Sequence, residues 1–478
     1  MGWLSLAFTA AAGCLLVYRF SPIEKFHPQW VWLLTTTALG CAAGLGCGSC
    51  LFFLLLWAGQ ASAASVLAAD AGLLMVAALI WRRRSPEPRQ KPPAAPEGRG
   101  EIWLFRGAAA LVVAALLSGW WMSTRASPHG DWDAFSIWNL RAKFLAGGSD
   151  VWRHAVARSL FGGHLGAAHP DYPLLLSGLV GQAWMLSGGV DVAFPAVIGL
   201  VFDVLLLALL AGALTWLRDE RAGWLGLLLL GGGELFASQI AAQYADIPLA
   251  CYALGTVALL AGAQGRPSTR SLPFWAGLLA ALAAWTKNEG LVFFLLALGW
   301  CGWRWGRRSV LAFLAGAAPS LAVVLCFKLL LAPATAGLFP ATVAQAASKL
   351  ADPQRWWLIV QSYARTFWDL GFWWAHPVAL AVIWIWAAGP AGPAHRRQMA
   401  VGLIPAAMLA ADFLVYLLTV ADLRWHLSTS VNRLWLEMWP SLLMSLLLAA
   451  GGERPQDGAA VARRRAQRGS SSPRRCPS

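Results

Sequence analysis

The chain has 478 residues, of which 58% are hydrophobic and only 13% are charged, and its mean hydropathy is +0.57. A soluble domain carries roughly 25% charged residues, so this composition excludes a soluble globular protein and predicts an integral membrane protein. The net charge of +14 is concentrated in short arginine-rich segments between apolar runs. That pattern is typical of cytoplasmic loops and argues against a nucleic acid as partner.

Apolar runs recur along nearly the whole chain, and a run of about 20 residues is long enough to cross a bilayer. The sequence therefore predicts an all-α polytopic membrane protein with about 13 transmembrane helices. The predicted spans are 3–18, 30–57, 62–81, 104–122, 191–217, 222–240, 246–263, 272–286, 288–303, 309–332, 367–388, 398–420 and 434–450.

The distribution of charge and proline suggests how the chain is divided. Residues 1–81 form a predicted three-span unit, and the basic, proline-rich segment 82–103 is a predicted cytoplasmic linker. Residues 367–450 hold the last predicted transmembrane helices, and the basic tail 451–478 is predicted to be disordered and cytoplasmic.

If every arginine-rich segment is cytoplasmic, the segments 123–190 and 333–366 face the other side of the membrane. This requires that residues 173–187, which begin with a proline, do not cross the bilayer. We therefore expect a long first external loop with a surface-lying or re-entrant helix. The predicted location is the inner (plasma) membrane, with the functional face towards the periplasm or exterior.

The external segments bring acidic and histidine side chains to one face, whereas the charged residues of the cytoplasmic segments are mostly arginine. Asp131 and Asp133 follow the fourth predicted span, with Trp132 between them and Trp138 five residues after Asp133. A carboxylate there is suited to act as general base on an acceptor hydroxyl. Together with Asp246, the pair is alternatively a ligand set for a divalent cation, Mg²⁺ or Mn²⁺. An ordinary solvated loop is the structural alternative.

Two proline-containing segments carry further polar residues. His169 and Asp171 lie in HPDYP, where a proline-rich turn before a short helix explains the pattern equally well. Tyr244 and Asp246 lie in YADIP between two predicted spans. Asp246 is expected either to cap the following helix or to present its carboxylate to a site.

Cationic residues on the external side depart from the pattern that places basic residues in cytoplasmic loops, so their position needs a local explanation. Lys287 and Glu289 interrupt an apolar run of roughly 30 residues, which favours a re-emergence at the surface with Lys287 available to an anion. Arg424, His426 and Arg433 precede the last predicted span. Arginine is a preferred partner of phosphate, so a lipid-phosphate site is predicted, with general headgroup binding as the alternative.

These motifs, in this order, resemble those of membrane glycosyltransferases of the GT-C fold, particularly the protein O-mannosyltransferase and aminoarabinose-transferase-like group. The resemblance covers roughly residues 104–440. The segments that carry it are GDWDAFSIWNLRAK (130–143), HPDYPLLL (169–176), YADIPLA (244–250), WTKNEG (285–290) and NRLWLEMWP (432–440).

The resemblance implies a catalytic transmembrane module at 104–332 that takes a sugar from a polyprenyl-phosphate donor. The acceptor would be a glycan, lipid or protein outside the cytoplasm, and Asp133, or alternatively Asp131, would be the catalytic base. His169, Asp171, Tyr244, Asp246, Lys287, Glu289, Arg424, His426 and Arg433 would bind substrate. The alternatives are a non-enzymatic lipid-linked-sugar transporter or export component, and an oligosaccharide ligase or polymerase.

Overall fold

A computed structural model describes residues 1–21, 23, 28–83, 99–149, 151–157, 169–264, 270–333, 339–372 and 375–451. Apart from one isolated bridge between Pro390 and Ala450, the regular structure in these ranges is helical. Most of the predicted linker (82–103) and all but the first residue of the predicted tail (451–478) lie outside the described residues.

The α-helices are numbered in chain order. The first group is α1 Gly2–Arg19, α2 Gln29–Trp57, α3 Ala63–Arg82, α4 Arg99–Ala126, α5 Asn139–Ala146 and α6 Leu175–Ser187, with a π-helical turn Ala134–Trp138 before α5 and a 3-10 helix Val151–Val156 after it. The second group is α7 Ala193–Leu217, α8 Glu220–Gly231, α9 Glu234–Gln239, α10 Asp246–Ala263, α11 Ser271–Thr286, α12 Asn288–Trp305 and α13 Arg307–Leu330. The last group is α14 Val343–Ala351, α15 Pro353–Trp368, α16 Pro377–Ala388, α17 Pro393–Met399, a 3-10 turn Ala400–Gly402, α18 Leu403–Leu418 and α19 Leu423–Leu447.

Within the described residues, eight helical segments are long and apolar enough to cross a membrane: α1, α2, α3, α4, α7, α10, α13 and the continuous run from α17 to α18. Three shorter helices, α6, α11 and α16, are also apolar. A polytopic helical protein is therefore confirmed. The larger number of about 13 spans stays a prediction.

One predicted span is divided in two. The segment 222–240 forms α8 and α9, which are separated at Gly232 and Gly233. Gly233 has an extended backbone, and a Cβ atom there would lie 2.8 Å from the carbonyl oxygen of Leu370. The helix therefore ends where another part of the chain approaches the backbone too closely for a side chain.

The segment after Pro173 forms α6, whose 13 residues are almost entirely buried against α1, α2 and α5. A helix of this length spans about 20 Å, less than the roughly 30 Å hydrocarbon core. Its length agrees with an element that does not cross the bilayer. Its burial does not agree with a helix that lies on the surface.

Two segments predicted as external loops are helical instead. The described part of 333–366 forms most of α14 and α15, whose apolar residues lie along one side of each helix. The segment 421–433 is helical from Leu423 onward, so α19 begins well before the predicted span at 434. The arginines and the histidine expected in a loop therefore lie on the first turns of this helix.

The first three helices pack against the rest of the protein. α2 contacts α6, α7 and α11 as well as α1. Ser49 of α2 donates a hydrogen bond to the carbonyl of Leu175 at 3.0 Å and accepts one from the indole of Trp285 at 3.1 Å. These bonds tie α2 to α6 and to the end of α11.

α11 and α13 cross closely because each has a glycine at the crossing. A Cβ atom on Gly277 would lie 1.9 Å from the carbonyl oxygen of Phe313, and one on Gly316 would lie 1.8 Å from that of Phe274. Small residues at a helix crossing allow the backbones to meet. This crossing holds α11, whose last residue precedes Lys287, in a fixed position.

We expect Gly277→Ala to lower the Tm of the purified protein in detergent, because overpacking of this kind costs about 1–3 kcal/mol. Gly299→Ala in α12 is the matched control, since a Cβ atom there would meet nothing within 4 Å. Both changes raise helix propensity equally. Equal Tm values for the two variants would show that α11 and α13 are not closely packed.

Candidate functional site

A buried lysine lies at the centre of the site. Lys287 occupies the extended link between α11 and α12. Its Nζ donates to Oδ1 of Asp246 at 2.8 Å and to Oε1 of Glu437 at 2.5 Å, and it lies 3.6 Å from Oε1 of Glu289. The side chains of Lys287, Asp246 and Glu437 are 3%, 1% and 0% exposed. The interaction therefore joins α10, α19 and the α11–α12 link in the protein interior.

Arg433 on α19 is the second cation of this cluster. Its Nη2 lies 3.0 Å from Oδ2 of Asp246, and its Nη1 donates to Oδ2 of Asp133. The guanidinium also lies over the ring of Tyr244, 4.4 Å from the ring centroid. Asp246 thus bridges two cations, and Asp133 is joined to the cluster through Arg433. We call Asp133, Asp246, Lys287, Arg433 and Glu437 the ion-pair cluster.

Asp246 does not cap α10. The helix begins at Asp246 after Ala245, and the end of the helix has no side-chain cap hydrogen bond. Both oxygens of the Asp246 carboxylate instead accept from Lys287 and Arg433. The expectation that Asp246 caps α10 is therefore wrong.

The backbone of the first external segment is held against the start of α10. Gly130 has a φ of +73°, and a Cβ atom there would lie 2.6 Å from the carbonyl oxygen of Ala242. The amide of Asp131 donates to that same carbonyl at 3.2 Å, and the amide of Asp133 donates to the hydroxyl of Tyr244 at 3.3 Å. These contacts place Asp133 beside Arg433.

Asp131 and Asp133 have different surroundings. The side chain of Asp133 is 22% exposed and paired with Arg433, and its Oδ1 atom has no hydrogen bond within the described residues. Asp131 is exposed, and its carboxylate forms no ion pair in the described part of the chain. Only Asp133 of the two belongs to the ion-pair cluster.

A second polar group surrounds Asp171. Its Oδ2 accepts from the amide of Asn288 at 2.6 Å, and its main-chain carbonyl accepts from Nζ of Lys328 at 2.6 Å. Lys328 also donates to Oδ1 of Asn288. Since Asn288 directly follows Lys287, this group adjoins the ion-pair cluster.

Arg141 fixes the HPDYP segment from inside. The arginine is fully buried, and it donates to the carbonyls of Tyr172 at 2.7 Å, Pro170 at 3.3 Å and Ala155 at 3.0 Å. A buried charge is tolerable when hydrogen bonds compensate it. Arg141 therefore has a positioning role for the loop that carries His169 and Asp171.

Aromatic rings form a stack beside these polar groups. The ring of Tyr172 lies between those of Trp138 and His169, with centroid separations of 5.7 Å and 4.6 Å. The hydroxyl of Tyr172 lies 3.5 Å from Oε1 of Glu289. Burial lowers the pKa of His169 below its usual value, and the neighbouring carboxylate of Asp171 opposes the shift. The imidazole is therefore favoured in its neutral form at pH 7.

The charges nearly cancel within this region. The carboxylates are Asp133, Asp171, Asp246, Glu289 and Glu437, and the cations are Arg141, Lys287, Lys328 and Arg433. Burial alone would lower the pKa of Lys287, but Asp246, Glu289 and Glu437 raise it well above the usual lysine value. Asp246 and Asp133 likewise raise the pKa of Arg433 against the effect of burial. Both cations of the cluster are therefore charged and already paired with carboxylates.

Most of the predicted site residues come together. Asp133, Tyr244, Asp246, Lys287, Glu289 and Arg433 lie in or against the ion-pair cluster, and His169 and Asp171 lie next to it. Arg424 is exposed on the first turn of α19 and away from these contacts. His426 faces Thr419, with 3.1 Å between Nδ1 and Oγ1, and its ring makes an edge contact with that of Tyr416.

Sequence reasoning did not select four residues that the structure places at the site: Arg141, Asn288, Lys328 and Glu437. Lys328 and Glu437 stand within apolar runs. An ionisable residue within an apolar run indicates a functional role by itself, and this criterion would have identified both Lys328 and Glu437. Arg141 and Asn288 offered no comparable signal.

The carboxylates are not arranged as a cation site. The described residues contain no group of three His, Cys, Asp or Glu side chains that could hold a metal ion. Asp133 and Asp246 share Arg433 instead, while Asp131 lies apart. In the described structure, Asp131, Asp133 and Asp246 therefore do not converge on one point as ligands of Mg²⁺ or Mn²⁺ would.

Comparison of the chain with protein-family models, with curated proteins and with solved structures finds no match. The likeness to the GT-C glycosyltransferases therefore rests on the sequence motifs given above. Their grouping in space is an observation of this structure alone.

Replacement of Lys287 by methionine should destabilise the protein by about 3–5 kcal/mol, because it leaves Glu437 buried without its cation. The measurement is thermal unfolding in detergent. The control, Arg424→Met, removes an exposed cation and should change the Tm little.

The double variant Lys287→Met with Glu437→Leu should recover part of the loss, since replacing both partners of a buried pair by apolar residues is often nearly neutral. A Lys287→Met variant as stable as the wild type would contradict the buried pairing.

The lowered pKa of His169 predicts an acid-dependent loss of stability. In the unfolded chain the imidazole takes up a proton near pH 6.5, whereas the folded protein resists protonation. The stabilising contribution is thus present above about pH 6.5 and is lost as the pH falls towards the lowered value. The Tm of the wild type should fall on acidification more than that of His169→Asn.

Asparagine suits this test because it does not titrate and tolerates the left-handed backbone of His169, whose φ is +42°. Burial also lowers the pKa of His426, so some acid dependence should persist in the variant. Identical pH profiles for the two proteins would contradict the assignment to His169.

Proposed function

We propose that this protein is a glycosyltransferase of the GT-C type, which moves a sugar from a polyprenyl-phosphate carrier to an acceptor on the extracytoplasmic face of the inner (plasma) membrane. The acceptor is a glycan, a lipid or a protein. One observation carries the proposal: Asp133 and Arg433, which are 300 positions apart, form an ion pair with Asp246 beside them. Three of the motifs behind the sequence resemblance thus meet at one site.

In the proposed reaction, Asp133 is the general base. Its Oδ1 atom has no hydrogen bond within the described residues and the side chain is partly exposed, so an acceptor hydroxyl can approach it. The acceptor oxygen attacks the anomeric carbon and forms the new glycosidic bond. The bond from that carbon to the phosphate oxygen breaks, and the hydroxyl proton passes to Asp133.

The leaving polyprenyl phosphate then needs a cation. Arg433 is paired with Asp133 before the reaction, but that pair weakens when Asp133 takes up the proton and becomes neutral. The guanidinium is then available to the phosphate. Stabilisation of charge as it develops is often the largest contribution to catalysis. Lys287 pairs with Asp246 and Glu437, and through Asp246 it helps to position Arg433.

The outer face of the proposed site has features suited to lipid. Large aromatic residues, among them Trp356, Trp357 and Trp368, are exposed on α15, and tryptophan is enriched at membrane interfaces. This supports an amphipathic α15 in the interface, where a polyprenyl chain enters.

A second candidate function is non-enzymatic transport or export of a lipid-linked sugar. The observation that favours it is the presence of Asp203 in α7 and Asp412 in α18, two buried carboxylates in apolar helices with an Oδ2 atom that has no hydrogen-bond partner among the described residues. Such residues are typical of transport pathways.

An oligosaccharide ligase or polymerase is less well supported. Such an enzyme is expected to present arginines on a late external loop. Here Lys349 and Arg355 donate to the carbonyls of Tyr416, Leu417 and Thr419 at the end of α18. They therefore tie α14 and α15 to the end of α18.

Asp133→Asn should abolish sugar transfer, a loss of at least about 10²-fold, because the amide cannot accept the proton. The assay is transfer of label from radiolabelled polyprenyl-phosphate mannose, glucose, galactose or arabinose by protein in lipid vesicles, with water counted as an acceptor.

Asp131→Asn is the matched control, since its carboxylate lies outside the ion-pair cluster. It should retain activity, and both variants should keep the wild-type elution profile. Full activity of Asp133→Asn would refute its role as base. Donor-dependent thermal stabilisation without turnover by the wild type would favour the transport alternative.

A further inference from the structure

Neither cation of the ion-pair cluster is free to bind a phosphate before transfer. Arg433 is paired with Asp133 and Asp246, and Lys287 is paired with Asp246 and Glu437. The phosphodiester of a polyprenyl-phosphate sugar carries one negative charge, and its oxygens accept hydrogen bonds from neutral N–H groups as well as from cations. A neutral N–H group beside Arg433 would therefore suit the phosphate of the intact sugar donor.

Asn432 directly precedes Arg433 on α19, and its side chain is exposed. Its Oδ1 atom accepts a hydrogen bond from the hydroxyl of Thr366 on α15 at 2.6 Å. Thr366 is only 1% exposed, and its hydroxyl has no other hydrogen-bond acceptor in the described part of the chain. Because only the oxygen of an amide can accept, this bond fixes the orientation of the amide. The Nδ2 group is turned away from Thr366 and forms no hydrogen bond within the described residues.

Asn432 shares an accessible face of α19 with Thr429 and Arg433. Thr429 lies three residues before Asn432 and four before Arg433, so the three side chains are neighbours on the surface of the helix. Thr429 and Asn432 are exposed, and the side chain of Arg433 is 17% exposed. The hydroxyl of Thr429 donates to carbonyls of its own helix, those of Trp425 and His426. Asn432 therefore supplies the neutral N–H groups of this face that are still unused.

The helix that orients Asn432 is the one with features suited to lipid. α15 is held on α19 by the bond from Thr366 to Asn432 and by an edge contact between the rings of Tyr363 and Trp435, whose centroids are 5.7 Å apart. Trp357 of the same helix is 62% exposed, as expected of a residue at a membrane interface. A polyprenyl chain that follows α15 would bring its phosphate to the junction of α15 with α19, where Asn432 lies.

We propose that Asn432, oriented by Thr366, donates hydrogen bonds from its Nδ2 group to the phosphate of the sugar donor before transfer. Asn432 is then a substrate-binding residue, and Thr366 is a positioning residue. The inference rests on the proposed glycosyltransferase function and separates two roles within it. Asn432 binds the phosphodiester of the intact donor, whereas Arg433 binds the additional charge that develops as the bond to the sugar breaks.

The first test measures binding without any reaction. The probe is the methyl ester of decaprenyl phosphate, an unreactive phosphodiester with the charge of the donor, and its affinity for the purified protein is measured by native mass spectrometry. Asn432→Asp should weaken binding by about tenfold or more, because aspartate still accepts from Thr366 but has no N–H group to donate. Thr366→Val should also weaken binding, and Thr366→Ser, which keeps the hydroxyl, should restore it. Thr429→Val is the matched control and should bind as the wild type does.

The second test is the steady-state kinetics of sugar transfer. Asn432→Ala should raise the KM for the sugar donor by about tenfold or more and change kcat little, because it removes an interaction that is made before the transition state. Asp133→Asn should instead lower kcat. A merely structural role of Asn432 would reduce the amount of active protein, and hence kcat, without raising KM.

Absence of probe binding by the wild type, or equal binding by the wild type and Asn432→Asp, would overturn the proposal. Equal dependence on Asn432 for the binding of phosphatidylglycerol would also overturn it, since that result indicates a general site for lipid headgroups. If the Asn432 variants do not fold, wild-type affinity of Thr366→Val would overturn it.

The two proposals can fail separately. Probe binding that depends on Asn432, in a wild type that transfers no sugar, would refute the enzyme alone. Transfer by Asn432→Ala with the KM of the wild type would refute the role of Asn432 alone.

Discussion

The rest of the site depends on one interaction, in which the carboxylate of Asp246 pairs with both Lys287 and Arg433. It joins the start of α10, the α11–α12 link and α19, and through Arg433 it reaches the segment of Asp133. A charge buried in an apolar protein is strongly unfavourable unless it is paired, so these elements stay together or the cluster is lost as a whole. The close α11–α13 crossing at Gly277 fixes one side of this arrangement.

The long apolar helices could be predicted from the sequence, because a run of about 20 apolar residues has few other stable forms in a bilayer. The elements that differ from the prediction are those whose ends or packing depend on tertiary contacts. α8 ends at Gly231 because the main chain at Leu370 approaches the backbone of Gly233. α14 and α15 were not predicted as helices because their apolar residues follow one side of a helix and give no continuous run.

The residues that form the site could be predicted from the sequence more easily than the ion pairs between them. Asp133, Asp246 and Lys287 stand out because each is a charge at the edge of an apolar run. The sequence could not show that each cation already has a carboxylate partner, since that depends on side-chain positions up to 300 residues apart. Lys287 was expected to be available to an anionic ligand, but its ammonium group is already paired with the carboxylates of Asp246 and Glu437.

This pairing changes how a phosphate can bind. Lys287 and Arg433 are each paired with carboxylates, so neither cation is free for an added anionic group until one of those carboxylates loses its charge. In the proposed reaction the acceptor proton removes the charge of Asp133 at the moment when the phosphate, a singly charged diester in the donor, gains its second negative charge. Proton transfer and the release of Arg433 are then one event, so the site stabilises the charge that develops on the phosphate in the transition state more than the charge of the bound donor. Such a preference for the reacting state over the ground state is what acceleration of the chemical step requires.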